Sequence, residues 1–178
     1  MTPDEISARV NGYQCSHVVL TGGEPMIAPQ AIALAQRFRE AGLHITIETA
    51  GTIHQTLECD LMSISPKLRN STPHERDGGR FATTHERLRY QPEVLKRLTG
   101  DYEYQLKFVL ANEGDLAEVQ QMQKELGAPA SRVMLMPEGV TREVVTERGL
   151  WLAELCKTHG YRYSPRLHID LWGDKRGV

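Results

Sequence analysis

The 178-residue chain alternates short apolar strands with helical stretches of about a dozen residues. That alternation restricts the fold more than any other feature. His17–Leu20 reads as a strand ending at Thr21. The stretch 29–41 then places Ala31, Leu34, Ala35 and Phe38 on one helical face, with Gly42 as its stop. Further strands are predicted over 43–48 (LHITIE), 60–65 (DLMSIS), 102–110 (YEYQLKFVL), 132–136 (RVMLM) and 161–169. Helices are predicted over 113–126, closed by Gly127, and over 142–159, closed by Gly160. This order implies a single α/β domain over 1–178, with a mostly parallel sheet joined by right-handed crossovers. Two arrangements satisfy it: an open doubly wound sheet or a partial (β/α) barrel. In either, ligands gather at the carboxyl ends of the strands.

Two stretches depart from the rhythm. Thr2-Pro3-Asp4-Glu5 has the form of a helix N-terminus: a threonine cap, proline at the first helical position and a glutamate that closes a capping box. The chain thus opens on a helix, and the strand that would precede it in a β/α unit is expected to be absent. The second departure is 69–90, which is polar, contains Gly78-Gly79 and sets five arginines against three acids. A segment this long is read either as a solvated surface loop or as a lid over a site.

Composition excludes several classes. A formal net charge of -2 gives no footprint for nucleic acid or a membrane surface. No apolar run is long enough to span a bilayer and no signal peptide opens the chain, so a cytoplasmic protein is expected. Cys15, Cys59 and Cys156 are odd in number and far apart, which is not a disulfide framework. The seven histidines show no metal-ligand spacing. Signatures of an α/β-hydrolase elbow, a P-loop, a dinucleotide-binding glycine motif and a zincin helix are all missing.

What the strands do carry is polar chemistry at their ends. The first runs into Thr21-Gly22-Gly23-Glu24-Pro25, the second into Glu48-Thr49-Ala50-Gly51-Thr52, the third into Ser65-Pro66-Lys67 and the fifth into Met136-Pro137-Glu138-Gly139; the fourth contains Gln105-Leu106-Lys107. Two glycines without side chains let a ligand lie against the peptide plane. Glu24, an acceptor when ionised, suits an ammonium or amide donor. Ser65 offers a hydroxyl, Pro66 fixes the exit angle and Lys67 adds a positive charge. Glu48 is read either as a ligand-binding acceptor or as the structural partner of Lys67 or Lys107.

Taken in order, TGGEP, ETAGT, SISPKL, LKFV, LMPEG and the ending PRLHIDLWGDKRGV resemble the 7-carboxy-7-deazaguanine synthases, radical S-adenosylmethionine (SAM) enzymes of queuosine and deazapurine biosynthesis. The resemblance covers nearly the whole chain. It implies a partial (β/α) barrel of the radical SAM type and a homodimer. The implied reaction contracts 6-carboxy-5,6,7,8-tetrahydropterin to 7-carboxy-7-deazaguanine with loss of ammonia. A [4Fe-4S] cluster would cleave SAM to a 5′-deoxyadenosyl radical, magnesium would assist and a flavodoxin-type donor would supply electrons. By the same resemblance, Gly22, Gly23 and Glu24 match the motif that holds the SAM amino group, and Thr21 matches a substrate contact. Ser65, Pro66 and Lys67, together with Met136, Pro137, Glu138 and Gly139, match SAM-binding segments, with Glu48 as a further SAM partner. Val178 matches the end of a tail that folds toward the substrate.

One part of the family pattern has no counterpart. The Cys-x3-Cys-x2-Cys loop and the Asp-Thr pair after it, whose threonine serves magnesium, match nothing in the chain. A cluster needs thiolate ligands, so this chain alone is expected to be inactive in the radical reaction. It is expected to expose an unpaired sheet edge as well. The alternative reading is a cluster-less SAM- or purine-binding module, or a degenerate fragment; on any of these readings Met1 is an internal start, a truncation point or the true start of a decayed gene product.

Overall fold

The computed structural model describes residues 1–175, Arg76 by its backbone alone; Val178 lies outside the described residues. The first helix, α1 (Pro3–Asn11), begins as its sequence dictates. Thr2 Oγ1 accepts from the Glu5 amide at 3.2 Å, and the Thr2 amide donates to Glu5 Oε2 at 2.7 Å. There follow β1 (His17–Leu20), α2 (Gln30–Glu40), β2 (His44–Thr49) and β3 (Leu61–Ile64). Next come α3 (Ala82–Leu88), α4 (Pro92–Asp101), β4 (Tyr104–Leu110), α5 (Leu116–Leu126) and β5 (Val133–Pro137). The chain continues through α6 (Arg142–His159), β6 (Arg162–Tyr163) and α7 (Leu167–Trp172).

All six strands are parallel, in the order β1-β2-β3-β4-β5-β6. Each strand therefore lies beside its predecessor, and successive right-handed crossovers place the connecting helices on one face. A doubly wound sheet needs a reversal of order that is not present. The result is an incomplete (β/α) barrel, open at the β1 and β6 edges.

The covered face is uniform. Ile45 and Ile47 of β2, Met62 and Ile64 of β3, Leu106, Phe108 and Leu110 of β4, and Val133 and Leu135 of β5 are all buried in one cluster. Leu34 and Phe38 of α2, Leu95 and Leu98 of α4, Val119 and Met122 of α5 and Leu152 of α6 meet them there. On the other face, the alternate residues of the same strands stand in register: Val19 beside Thr46, Glu48 beside Ser63, Ser63 beside Gln105, Lys107 beside Met134, and Val109 beside Met136. Parallel sheets are ordinarily apolar on both faces. This one is polar on its open face, and Val19 is 52% exposed there.

Two expectations from the sequence require correction. The strand predicted over 161–169 is confined to Arg162–Tyr163. The Ser164 amide still donates to the Leu135 carbonyl at 2.8 Å, but Pro165 has no amide to continue the ladder, and the chain turns into α7. The segment 69–90 is not irregular, since it carries α3 and two short 3-10 turns. Arg89, 8% exposed, fastens it by donating to Glu86 and Glu118 and to the Lys67 carbonyl, each at 2.8 Å.

Candidate functional site

The carboxyl ends of β1, β2, β3 and β5 meet around a cleft of about 240 Å³. Of the residues singled out in the sequence, Thr21, Gly22, Gly23, Glu48, Ser65, Lys67 and Met136 line it. Pro66 and Glu138 line an adjoining cavity of about 550 Å³, which shares Ser65, Lys67, Val109 and Arg166 with the cleft. This second volume falls within the roughly 300–1,000 Å³ typical of ligand sites. Pro137 and Gly139 are buried and line neither space. A separate depression of about 560 Å³ beside Trp151 shares no residue with the cleft.

The glycines at two strand ends differ in purpose. Gly22 has φ +125°, a conformation that disfavours side chains, and a Cβ built on Gly22 or Gly23 would meet no protein atom within 4 Å. The space before these two peptide planes belongs to the cleft. At Gly51, φ +71°, a Cβ would lie 2.3 Å from Leu95 Cδ2, so that glycine is required by packing in the core.

Glu24 turns inward. Its Oε1 accepts from the Met26 amide at 3.1 Å and from Thr49 Oγ1 at 2.8 Å, and its Oε2 accepts from the Ala50 amide at 2.9 Å. Thr49, 4% exposed, also accepts from the Gly51 amide at 3.0 Å. The carboxylate thus ties the end of β1 to the end of β2. Three of its roughly four acceptor positions are occupied, and it does not line the cleft.

Glu48, one residue before Thr49, faces the opposite way. It accepts from Lys107 Nζ at 2.9 Å and from Thr21 Oγ1 at 3.1 Å. Burial pushes its pKa up, but the hydrogen bond and charge of Lys107, the Thr21 hydroxyl and the charge of Lys67 outweigh burial and hold it below the ordinary value. Of the two partners weighed from the sequence, Lys107 makes the bond. Lys67 forms no side-chain hydrogen bond or ion pair among the described residues; burial, then the neighbouring Lys107 charge, lower its pKa, with Glu24 and Glu48 opposing. Glu138 is paired with Arg148, which also donates to the Glu138 carbonyl at 2.7 Å.

Lys107, Thr49, Ala50, Val109 and Arg166 also line the cleft; the sequence marks Thr49, Ala50 and Lys107 as strand-end residues without a binding role and does not single out Val109 or Arg166. Lys107 stands two residues from Val109 on the open face, a position that strand alternation alone reveals once the face is known. Arg166 lies in the PRLH stretch at the cap of α7, where no local spacing marks it. The 69–90 segment supplies further walls: Ser71 and His85 on the 550 Å³ cavity, and Phe81, His85 and Leu88 on an apolar recess of about 350 Å³ that also reaches Lys67.

Comparison with known proteins is decisive about ancestry. The 7-carboxy-7-deazaguanine synthase of Halobacterium salinarum is 40% identical over 185 residues, covering 98% of this chain and 72% of that protein. The chain belongs to the 7-carboxy-7-deazaguanine synthase family. The Rhodopirellula baltica synthase is 41% identical over 91% of the chain and 63% of its own length, and the Bacillus subtilis synthase 28% identical over the whole chain and 76% of its own. The chain thus spans roughly two thirds to three quarters of these synthases. No family model matches it. Among solved structures, QueE from Escherichia coli superposes with a TM-score of 0.62 at 21% identity, over 93% of this chain and 64% of that one. SuiB of Streptococcus suis, in a structure bound to S-adenosylmethionine, gives 0.61 at 10% identity over 93% and 44%. The chain shares the fold of QueE, with its six-stranded parallel sheet.

A radical SAM synthase works with an iron–sulfur cluster held by thiolates, and the described residues do not fit one. Burial, reinforced by Asp60, pushes the Cys59 thiol up to about 11. Cys156 is buried with its pKa raised, and Cys15 is exposed in the connection between α1 and β1. Among the described residues no group of three or more His, Cys, Asp or Glu could hold a metal ion. None of the described helices is long and apolar enough to cross a membrane.

Proposed function

We propose that this chain is the SAM- and pterin-binding body of a 7-carboxy-7-deazaguanine synthase, acting on 6-carboxy-5,6,7,8-tetrahydropterin in queuosine and deazapurine biosynthesis. The observation that carries this reading is the convergence of Thr21–Gly23, Glu48, Ser65, Lys67 and Met136 on one cleft, in a chain 40% identical to a synthase. When bound, SAM supplies the 5′-deoxyadenosyl group that removes a hydrogen from substrate in this family. The residues present suit SAM in three ways. The open peptide planes at Gly22 and Gly23 receive its aminoacyl end. Glu24, through the bonds to Met26, Thr49 and Ala50, holds that loop in place rather than serving as a free acceptor. Met136 gives the cleft an apolar wall against which a nucleoside or thioether packs.

Thr21 stands between cofactor and substrate sides. Its hydroxyl donates to Glu48, which Lys107 keeps ionised, so its oxygen is presented as an acceptor for an N–H of the pterin. The test is product formation, followed by mass spectrometry, in the chain alone and in a fusion to the part of the Halobacterium salinarum synthase that the chain does not match. We expect 7-carboxy-7-deazaguanine from the fusion only. Product from the 178-residue chain alone contradicts the assignment of the cluster to other residues, and no product from a soluble, cluster-loaded fusion contradicts the synthase reading.

A further inference from the structure

The cleft and the adjoining cavity share four lining residues, and two of them are cations. Most charges nearby are spoken for. Lys107 bonds Glu48, and Arg148 bonds Glu138. Lys67 and Arg166 are different: neither side chain has a hydrogen bond or ion pair among the described residues. Arg166 Nε is buried without any partner, the single buried side-chain nitrogen or oxygen in that condition among the described residues. A guanidinium retains its charge under all ordinary conditions, so it cannot relieve this burial by losing a proton. The two cations also repel one another, since the Arg166 charge is among the influences that lower the Lys67 pKa. Nothing in the fold itself demands this arrangement. The Arg166 backbone, at the cap of α7, accepts from the Ile169 and Asp170 amides whatever its side chain does.

Buried polar groups are normally satisfied, and an exception calls for an explanation, of which a bound ion is one. An anion between the two cavities would receive the Arg166 N–H groups and the Lys67 ammonium together and cancel their repulsion. Glu48 and Glu138 stand at the margins of the two spaces, so a singly charged group is favoured over a phosphate dianion. We infer that Arg166 and Lys67 form a carboxylate receptor at the seam between the two cavities. The inference deepens the proposed function and rests on it for the ligand's source, because SAM and the carboxypterin each carry one carboxylate.

The receptor is tested by nuclear magnetic resonance on the intact chain. The Arg166 Nε–H signal is assigned by its loss in Arg166→Lys, and sodium acetate is the first probe. We expect a saturable shift of that signal and of the Ser65 and Lys67 amides, and at least an about tenfold weaker acetate response of the amides in Arg166→Gln. Two ligand pairs then distinguish the sources. A shift with 6-carboxypterin but not with unsubstituted pterin assigns the receptor to substrate. A shift with SAM but not with methylthioadenosine, which lacks the aminoacyl end, assigns it to the cofactor. Acetate binding without a response to any of these larger ligands supports the receptor and overturns the SAM–pterin reading. Shifts at Gly22 and Gly23 with SAM, while Arg166, Ser65 and Lys67 ignore acetate, carboxypterin and SAM, overturn the receptor and leave that reading standing. Silence at Arg166, Ser65 and Lys67 toward every probe overturns the receptor too.

Discussion

The two faces of the sheet are built from alternate residues of the same strands, yet they obey different rules. In β2, Ile45 and Ile47 are buried in the core with the helices, while Thr46 and Glu48 between and beyond them stand on the open side. The covered face is a close-packed core, where volume decides stability. The open face carries Glu48, Ser63, Gln105 and Lys107 joined by hydrogen bonds, such as Gln105 Nε2 to Ser63 Oγ at 3.0 Å. The difference teaches that stability and function are separated by a single step along a strand. A slip of one residue in register would exchange them.

That separation is most exposed to test at its extremes. Phe108, fully buried on the covered face, should cost about 3–5 kcal/mol when replaced by alanine, in line with other large-to-small core changes. Val19→Ala on the open face should stay within about 0.5 kcal/mol. Urea unfolding of the two variants measures the contrast, and comparable losses would mean that both faces are packed.

A smaller effect separates the glycines. Gly51→Ala drives a methyl into Leu95 and should destabilise by about 1–3 kcal/mol. Gly23→Ala meets no protein atom, so its thermal midpoint should match the parent while SAM affinity falls. A stability loss at Gly23 equal to that at Gly51 would reduce the double glycine to a simple turn.

The smallest expected change lies in the Glu48–Lys107 pair, whose Glu48 side chain is 40% exposed. Lys107→Met should cost about 0–1 kcal/mol at neutral pH. Because the folded pKa of Glu48 is depressed, its contribution is fully present above the ordinary carboxylate value and is lost as pH falls through the folded one. The gap between parent and variant should therefore close on acidification, as read from unfolding midpoints across that range. A gap that widens in acid would show that Glu48 is not held ionised by Lys107.

Much of the covered face was legible in the sequence because apolar periodicity is a local signal. Leu34, Ala35 and Phe38 repeat at helical spacing, and the capping box at Thr2 and Glu5 fixed a helix start. Family resemblance and comparison agree on ancestry and fold. What escaped was set by contacts distant in sequence. Glu24 reads as an acceptor for a ligand's ammonium or amide, and the sequence carries no sign that the Thr49 hydroxyl and Ala50 amide, twenty-five and twenty-six residues on, donate to it as well. Helix α4 went unpredicted although Pro92 opens it, and α3 was hidden in a polar segment whose order depends on Arg89 reaching Glu118. Arg166 carried no local signal at all, since only the fold brings it beside Lys67 at the cleft.

The central claim is that the β1, β2, β3 and β5 strand ends form a SAM site even where no cluster holds the cofactor. Amide shift mapping of the 178-residue chain with SAM tests it most directly, because it registers weak binding. The account predicts saturable, low-affinity shifts concentrated at Thr21–Gly23, Ser65–Lys67 and Met136. Shifts confined to other surfaces, or none at saturating SAM, would contradict it.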